Sequence, residues 1–270
     1  DVKTTWSGLI SGHSGIDLIT AFDTDGFDTH FAGEVKGFDP EDYLDRKTAR
    51  RMDRFAQFAA VAAMEACRDA QLNRETMDPY RVGVIIGSGI GGVITLSQQL
   101  EVLNTRGPKR VSPFTIPMML CDMASAQVSM VTGAMGANYC LVSSCSSGAD
   151  ALGQAWEMIR RGQEDVMLAG GSEAPIFPIA VAGFNSMRAL SRFNENPQKA
   201  SRPFDAARDG FVMAEGAAVL VLESQQSAEA RGVPPLAELL GYGATSDAHH
   251  LTEPGPSGQS AAKAIGLALK

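Results

Sequence analysis

The run NYCLVSSCSSGADALGQAWEMIRRGQEDVMLAGGSEA, residues 138–174, reads as a short apolar strand, a cluster of small residues, an apolar helix and a second strand. A strand that hands over directly to a helix and returns to a strand points to a layered α/β architecture. The alternation recurs along the chain. Helical patterns run from about 47 to 72, 92 to 103, 116 to 131, 146 to 161 and 224 to 231, and strand patterns cover 82–87, 138–143, 165–171 and 217–223. A last strand is expected over LAELLGYG at 236–243, after the turn GVPP at 232–235. The chain closes in a helix-like pattern, GQSAAKAIGLALK, with no Gly or Pro stop signal.

Cys145 stands at the strand-to-helix turn. A thiol at the start of a helix faces backbone N–H groups without acceptors and the positive end of the helix dipole, which favour thiolate over thiol. Ser143, Ser144, Ser146, Ser147 and Gly148 leave room for a substrate to approach. The plainer alternative is a buried, inert cysteine, the usual state of a lone Cys in an apolar segment. Cys140, Cys67 and Cys121 read that way, the first within the strand and the others on apolar helix faces.

The 270 residues suffice for one large core or two modest ones. A formal net charge of −8 argues against nucleic acid as a partner, and no apolar run is long enough to span a bilayer. The four cysteines have neither Cys-x-x-Cys spacing nor flanking histidines, so neither zinc nor a disulfide framework is indicated, which suits a reducing compartment such as the cytoplasm. Gly87, Gly89 and Gly92 satisfy G-x-G-x-x-G after a strand, but the region some twenty residues on reads RGPKRV and offers no acid for a ribose, so close packing or a tight turn is the better account. Lys47, Arg50, Arg51 and Arg54 would share one helix face beside Arg46, which is ordinarily a solvated face paired with Glu41, Asp45 and Asp53. Arg202 and Arg208 with Asp205, Asp209 and Glu215 read as buried ion-pair scaffolding. Of the histidines, His13 and His30 read as solvated loop residues.

The turn SSCSSGADALG resembles the nucleophile turn of the β-ketoacyl-acyl carrier protein synthases, and of their elongating, FabF-like (type II) branch most closely. The resemblance extends colinearly through GSGIGG at 87–92, SPFTIP at 112–117, DVMLAGGSEA at 165–174, GFNSMRALS at 183–191, SRPFDAARDGFVMAEGA at 201–217 and SDAHHLTEP at 246–254. It implies a thiolase-like α-β-α-β-α layered fold built from two similar halves, the first filling residues 1–232 and the second beginning at 233–270. It also implies that the chain is an internal piece of a longer synthase. The family opens with a short strand and a Gly-rich turn that precede the first residue here, and its catalytic histidines lie in two later motifs, Asn-Ala-His-Gly-Thr and Gly-His, whose family positions come after Lys270.

What the resemblance implies for function is a condensing enzyme of fatty-acid elongation, an acyltransferase with Cys145 as acylated nucleophile and Ile90 and Phe184 beside the acyl chain. Lys47, Arg50 and Arg51 match the segment on which elongating synthases dock an acidic acyl carrier protein. His249 and His250 fall near the pantetheine entrance and match no catalytic histidine. No cofactor is implied beyond the phosphopantetheine arm of the partner, and a homodimer joined along strand 138–143 is expected. Alternatives are a non-catalytic fragment or carrier-binding module, and a type II polyketide ketosynthase. Condensation by these residues alone is not expected.

Overall fold

The computed structural model describes residues 1–73 and 75–270. Its helices are α1 (Val2–Ile10), α2 (Arg46–Ala49), α3 (Arg54–Asp69), α4 (Val93–Arg106), α5 (Thr115–Met119), α6 (Met123–Thr132), α7 (Ser147–Arg160), α8 (Pro178–Ser186), α9 (Gln225–Arg231) and α10 (Gln259–Ala268). The strands are β1 (Asp17–Leu18), β2 (Phe31–Ala32), β3 (Val82–Gly87), β4 (Asn138–Tyr139), β5 (Val166–Glu173) and β6 (Gly216–Glu223). The main sheet has the order β4-β3-β5-β6, parallel except for β6, and β1 and β2 form a small antiparallel pair.

Two central strands are apolar at consecutive positions because both sheet faces are covered. On one face Val84, Ile86, Val166 and Leu168 pack on Phe55, Ala59 and Ala63 of α3 and on Ala124 and Val128 of α6. The opposite face, Ile85, Met167 and Ala169, packs on Ala151, Ala155 and Met158 of α7. Phe55, Phe58, Ala59 and Ala63 recur at helical spacing, which gives α3 its buried stripe. Helices thus cover both faces of the main sheet in α-β-α layers.

The single helix expected over 47–72 is interrupted. Asp45 caps α2, its carboxylate accepting the N–H groups of Lys47 at 3.0 Å and Thr48 at 3.1 Å, and the chain turns at Arg50–Asp53 before α3 begins. The proposed one-faced basic strip therefore divides. Arg54 leaves it altogether, donating to both oxygens of Glu215, whose side chain is 4% exposed, and stacking over Phe58 at 4.6 Å. Asp53 is not a surface counter-ion but a buried carboxylate that accepts the Thr95 N–H at 2.8 Å.

Burial pushes the Asp53 carboxyl above its ordinary value, against the opposing pull of its hydrogen bonds with Thr95. A group raised in the folded state contributes its stability below the unfolded pKa and loses it as pH rises through the folded one. Asp53→Asn, which keeps an oxygen acceptor for Thr95, is expected to gain stability relative to the parent as pH is taken from the carboxylate range to neutrality. Urea unfolding at pH 4 and pH 7.5 checks this, and a stability of the variant relative to the parent that falls or stays level with rising pH would contradict it.

Three further expectations are corrected. No strand forms over 236–243; those residues have no ladder partner, and Leu236 and Leu240 are exposed. The helix expected over 116–131 is split into α5 and α6 by a break at Leu120–Asp122. Strand 138–143 has ladder pairing at Asn138 and Tyr139, and one further bond from the Ser88 N–H to the Leu141 carbonyl at 3.3 Å, before the chain enters the turn that carries Cys145.

Candidate active site

Cys145 lies in a single 3₁₀ turn, Ser144–Ser146, between β4 and α7, and is exposed. Ser144 has φ +55°, a left-handed conformation that costs a non-glycine residue roughly 1 kcal/mol. Serine side chains hold it there. Ser147 Oγ donates to the Ser144 carbonyl at 2.7 Å and accepts the Ser143 N–H at 3.0 Å, while Ser146 Oγ donates to the Ser143 carbonyl at 2.9 Å. The thiol is thus presented on a sharp elbow, and among the described residues the Cys145 N–H has no protein acceptor. An N–H so placed can serve an oxygen that gains charge beside the thiol.

Glycine sets how closely the elbow seats on the sheet. A Cβ on Gly87, at the end of β3, would lie 2.2 Å from the Ser147 carbonyl oxygen, and one on Gly171 of β5 would lie 3.0 Å from the Gly148 Cα. The close packing expected of the glycine-rich run is what Gly87 does, and Gly92 likewise faces the Met118 carbonyl. The loop between them is pinned by Glu173, whose carboxylate accepts Ser88 Oγ at 3.0 Å, Gly89 N at 2.6 Å and Ile90 N at 3.2 Å.

Asp150 lies on the first turn of α7 and accepts the hydroxyls of Ser143 and Tyr242, and shares the single Ser146 hydroxyl proton with the Ser143 carbonyl, at 3.2 Å against 2.9 Å. Burial would raise its carboxyl, but these three donors outweigh it and hold the carboxyl below its ordinary value. Tyr242 responds in the opposite sense, pushed up to about 12 by burial and by the Asp150 carboxylate. Cys140 is driven up to about 11 by burial, and Cys121 is raised by burial and then by the nearby Glu173 charge. Cys140 and Cys121 are therefore held as thiols, as expected of core cysteines.

The other candidates sit as follows. Ile90 is partly exposed in the loop held by Glu173, and its neighbour Gly89 lies against the Ser144 carbonyl, which brings this loop to the elbow. Phe184 belongs to a separate apolar cluster with Ile176, Val181 and Met213 and meets Phe211 edge-on at 5.2 Å. Lys47 and Arg50 are exposed, and Arg51 stacks over Phe114 at 4.6 Å. His30 is half-buried beside Thr24 rather than solvated, and His250 accepts the N–H groups of Thr252 and Glu253 as a turn cap. Asp209 pairs with Arg202 at 3.1 Å and binds Ser191, Glu215 belongs to Arg54, and Arg208 donates to a carbonyl, so the expected scaffold is not one buried network. A cavity of about 300 Å³ lies under the C-terminal part of α3. Val82 lines it, at the N-terminal end of β3 and the opposite end of the strand from the elbow. Open α/β sheets bind ligands at the carboxyl ends of their strands, so the exposed elbow outranks this cavity as the candidate site.

The family model for the N-terminal domain of β-ketoacyl synthase matches residues 1–228. The chain belongs to the β-ketoacyl synthase family. It is 51% identical over 269 residues to the 3-oxoacyl-acyl-carrier-protein synthase 2 of Staphylococcus aureus, covering all of this chain and 66% of that one. The Synechocystis protein of the same name is 48% identical, with 98% of this chain and 64% of the relative covered. The chain thus spans about two thirds of the length of the curated relatives it matches. A β-ketoacyl synthase structure from Burkholderia phymatum superposes with TM-score 0.89 at 33% identity, covering 100% of this chain and 66% of that one. A type II polyketide ketosynthase in complex with its acyl-carrier protein gives 0.87 at 34%, covering 99% and 65%. The thiolase-like layered fold expected from the sequence is the fold of these ketosynthases.

Within this β-ketoacyl synthase chain, sequence reasoning missed Asp150, Glu173 and Tyr242. Asp150 and Glu173 each carried a signal, an acid one turn into a helix that begins at a nucleophile and an acid ending a buried strand. Tyr242 carried none, since its contact is made across 92 positions of chain.

Proposed function

We propose that the chain carries the nucleophile of an elongating β-ketoacyl-acyl carrier protein synthase, an acyltransferase of fatty-acid synthesis. The observation that carries this reading is the exposed Cys145 thiol on its serine-braced elbow at the start of α7. The Cys145 thiolate attacks an acyl thioester, a new thioester forms, and the displaced carrier thiolate takes up the proton. The Cys145 N–H stabilises the oxygen that becomes negative as the carbonyl is attacked. Malonyl-carrier protein then loses carbon dioxide, and its enolate carbon attacks the Cys145 thioester, expelling the Cys145 thiolate and leaving a ketoacyl chain two carbons longer. The substrates ride on the phosphopantetheine of the carrier, and no other cofactor enters. Identities of 48–51% to proteins named 3-oxoacyl-acyl-carrier-protein synthase 2, against 34% to the polyketide ketosynthase, support the fatty-acid branch. The test is to incubate the full-length protein with an acyl-carrier protein and map the adduct by mass spectrometry. Label at Cys140 or Cys67 with Cys145 untouched refutes the reading.

For carrier docking the proposal is Lys47, Arg50 and Arg51; their neighbour Arg54 is committed to Glu215. Complementary charge mainly speeds encounter. Reversing Lys47 and Arg50 to Glu is expected to slow acylation by carrier-bound substrate about tenfold at low salt and to flatten its salt dependence, with alkylation of Cys145 by iodoacetamide unchanged. Equal carrier affinity in parent and variant would leave these residues a solvated face.

Pairing of two copies along the edge strand β4 is a further part of the proposal, supported by its outermost place in the sheet and by exposed Val142 beyond it. An unpaired edge invites association. A monomeric mass for the full-length protein in solution would refute it. Ile90 and Phe184 are proposed to line the acyl pocket. The division near residue 232 is supported by the end of the family match at 228 and by the left-handed Gly232 that caps α9. A reducing, cytoplasmic setting is proposed from the free thiols; among the described residues no helix is long and apolar enough to cross a membrane.

A further inference from the structure

One carboxylate sits at the meeting point of two parts of the chain. Asp150 accepts Ser143 Oγ from the residue that enters the elbow, Ser146 Oγ at 3.2 Å from the residue that leaves it, and the Tyr242 hydroxyl from the segment that follows α9. Ser143 and Ser146 flank Ser144 and Cys145, so the carboxylate clasps both ends of the strained turn. Tyr242 reaches it because α7 has Gly153 one turn beyond Asp150, and a Cβ there would lie 2.4 Å from the Tyr242 ring. Any other residue at 153 would lift the ring and with it the hydroxyl. The seat for the ring and the acceptor for its hydroxyl are therefore built on one face of the nucleophile helix, at i and i+3.

Resting on the reading of Cys145 as nucleophile, we infer that Asp150 is a positioning residue that fixes the elbow for acyl transfer, and that Tyr242 latches the segment after α9 onto it. What the carboxylate supplies is orientation: with both serines held, the Cys145 Sγ and the Cys145 N–H keep a fixed relation to an incoming carbonyl. Reaction with a small alkylating agent, which needs only an accessible thiolate, does not depend on that relation, whereas attack on a thioester does. The latch makes this geometry contingent on the segment carrying Tyr242 being docked.

The experiment compares two rates in the full-length protein: single-turnover acylation of Cys145 by an octanoyl-carrier protein thioester, and alkylation by iodoacetamide, both read by intact mass. Asp150→Ala is expected to lose about 10²-fold in acylation, the cost of a misplacement of order 1 Å, with alkylation within about threefold of the parent. Asp150→Asn, which retains an oxygen acceptor, should recover to within about tenfold of the parent rate, and Tyr242→Phe, which keeps the ring on Gly153, should lose about three- to tenfold. Acylation of Asp150→Ala at the parent rate overturns the inference. If Asp150→Ala does not fold, Tyr242→Phe decides, and an unchanged acylation rate there overturns the inference equally. A parent that takes no acyl group on Cys145 overturns the nucleophile reading and this inference with it. A parent that is acylated while all three variants match it overturns this inference alone.

Discussion

Cys145→Ala is expected to hold no acyl group when mixed with an acyl-carrier protein, and the full-length variant to lose at least about 10³-fold in ketoacyl formation. The loss is large because no other thiol can take over. Cys140 is half-buried and held as a thiol near 11, Cys121 is raised in the same direction, and Cys67 lies within α3. Cys145→Ser is expected to fare little better, since a hydroxyl at the same place is far less ionised than a thiol at neutral pH. Fold should be untouched, because the side chain is exposed and packs on nothing in the core. Mass spectrometry after acyl transfer, with circular dichroism as a control, checks the pair; ketoacyl product at the parent rate from Cys145→Ala would remove Cys145 from the reaction.

Gly87→Ala is expected to be the most damaging single methyl group among the glycines that face the elbow. The new Cβ would lie 2.2 Å from the carbonyl oxygen and 2.3 Å from the carbonyl carbon of Ser147, both backbone atoms at the start of α7. Neither can swing aside as a side chain would, so β3 and α7 must part. Overpacking of this kind costs about 3 kcal/mol, at the upper end of its usual range because the obstacle is main chain. The displaced helix start carries the elbow with it, so acylation of Cys145 should fall about 10²-fold even where the variant is folded. Gly183→Ala on α8, where a Cβ meets nothing within 4 Å, is the control and is expected to be neutral or slightly stabilising. Urea unfolding of the two variants, with acylation rates alongside, checks the contrast. Equal stability of Gly87→Ala and the parent would mean that this contact is not tight.

The three-layer core was legible because apolar runs such as 82–87 are local and dense, and the elbow because small residues crowd a cysteine between strand and helix. What escaped were features set by contacts across the chain. The run 47–72 has continuous helical periodicity, yet Asp53 is drawn inward to Thr95 and the helix breaks there. Arg54 looked like its basic neighbours until Glu215, 161 positions away, claimed it. LAELLGYG has strand composition, but a strand exists only with a ladder beside it. Tyr242 lies in that same stretch, so the residue that reaches the elbow was hidden inside a segment read as sheet.

Gly148 of α7 and Gly171 of β5 meet backbone to backbone, with no side chain between them. A contact of that kind works as a fixed datum. Side chains elsewhere can be exchanged, enlarged or trimmed, and the helix start still rests at the same height above the sheet, because nothing that varies lies in the joint. Ile90 and Phe184 stand on other elements, a loop and α8. On the proposed acyl-pocket role of these two residues, chain-length preference can drift through substitutions there while the thiol keeps its aim, so selectivity and reactivity are free to evolve separately in a scaffold of this design.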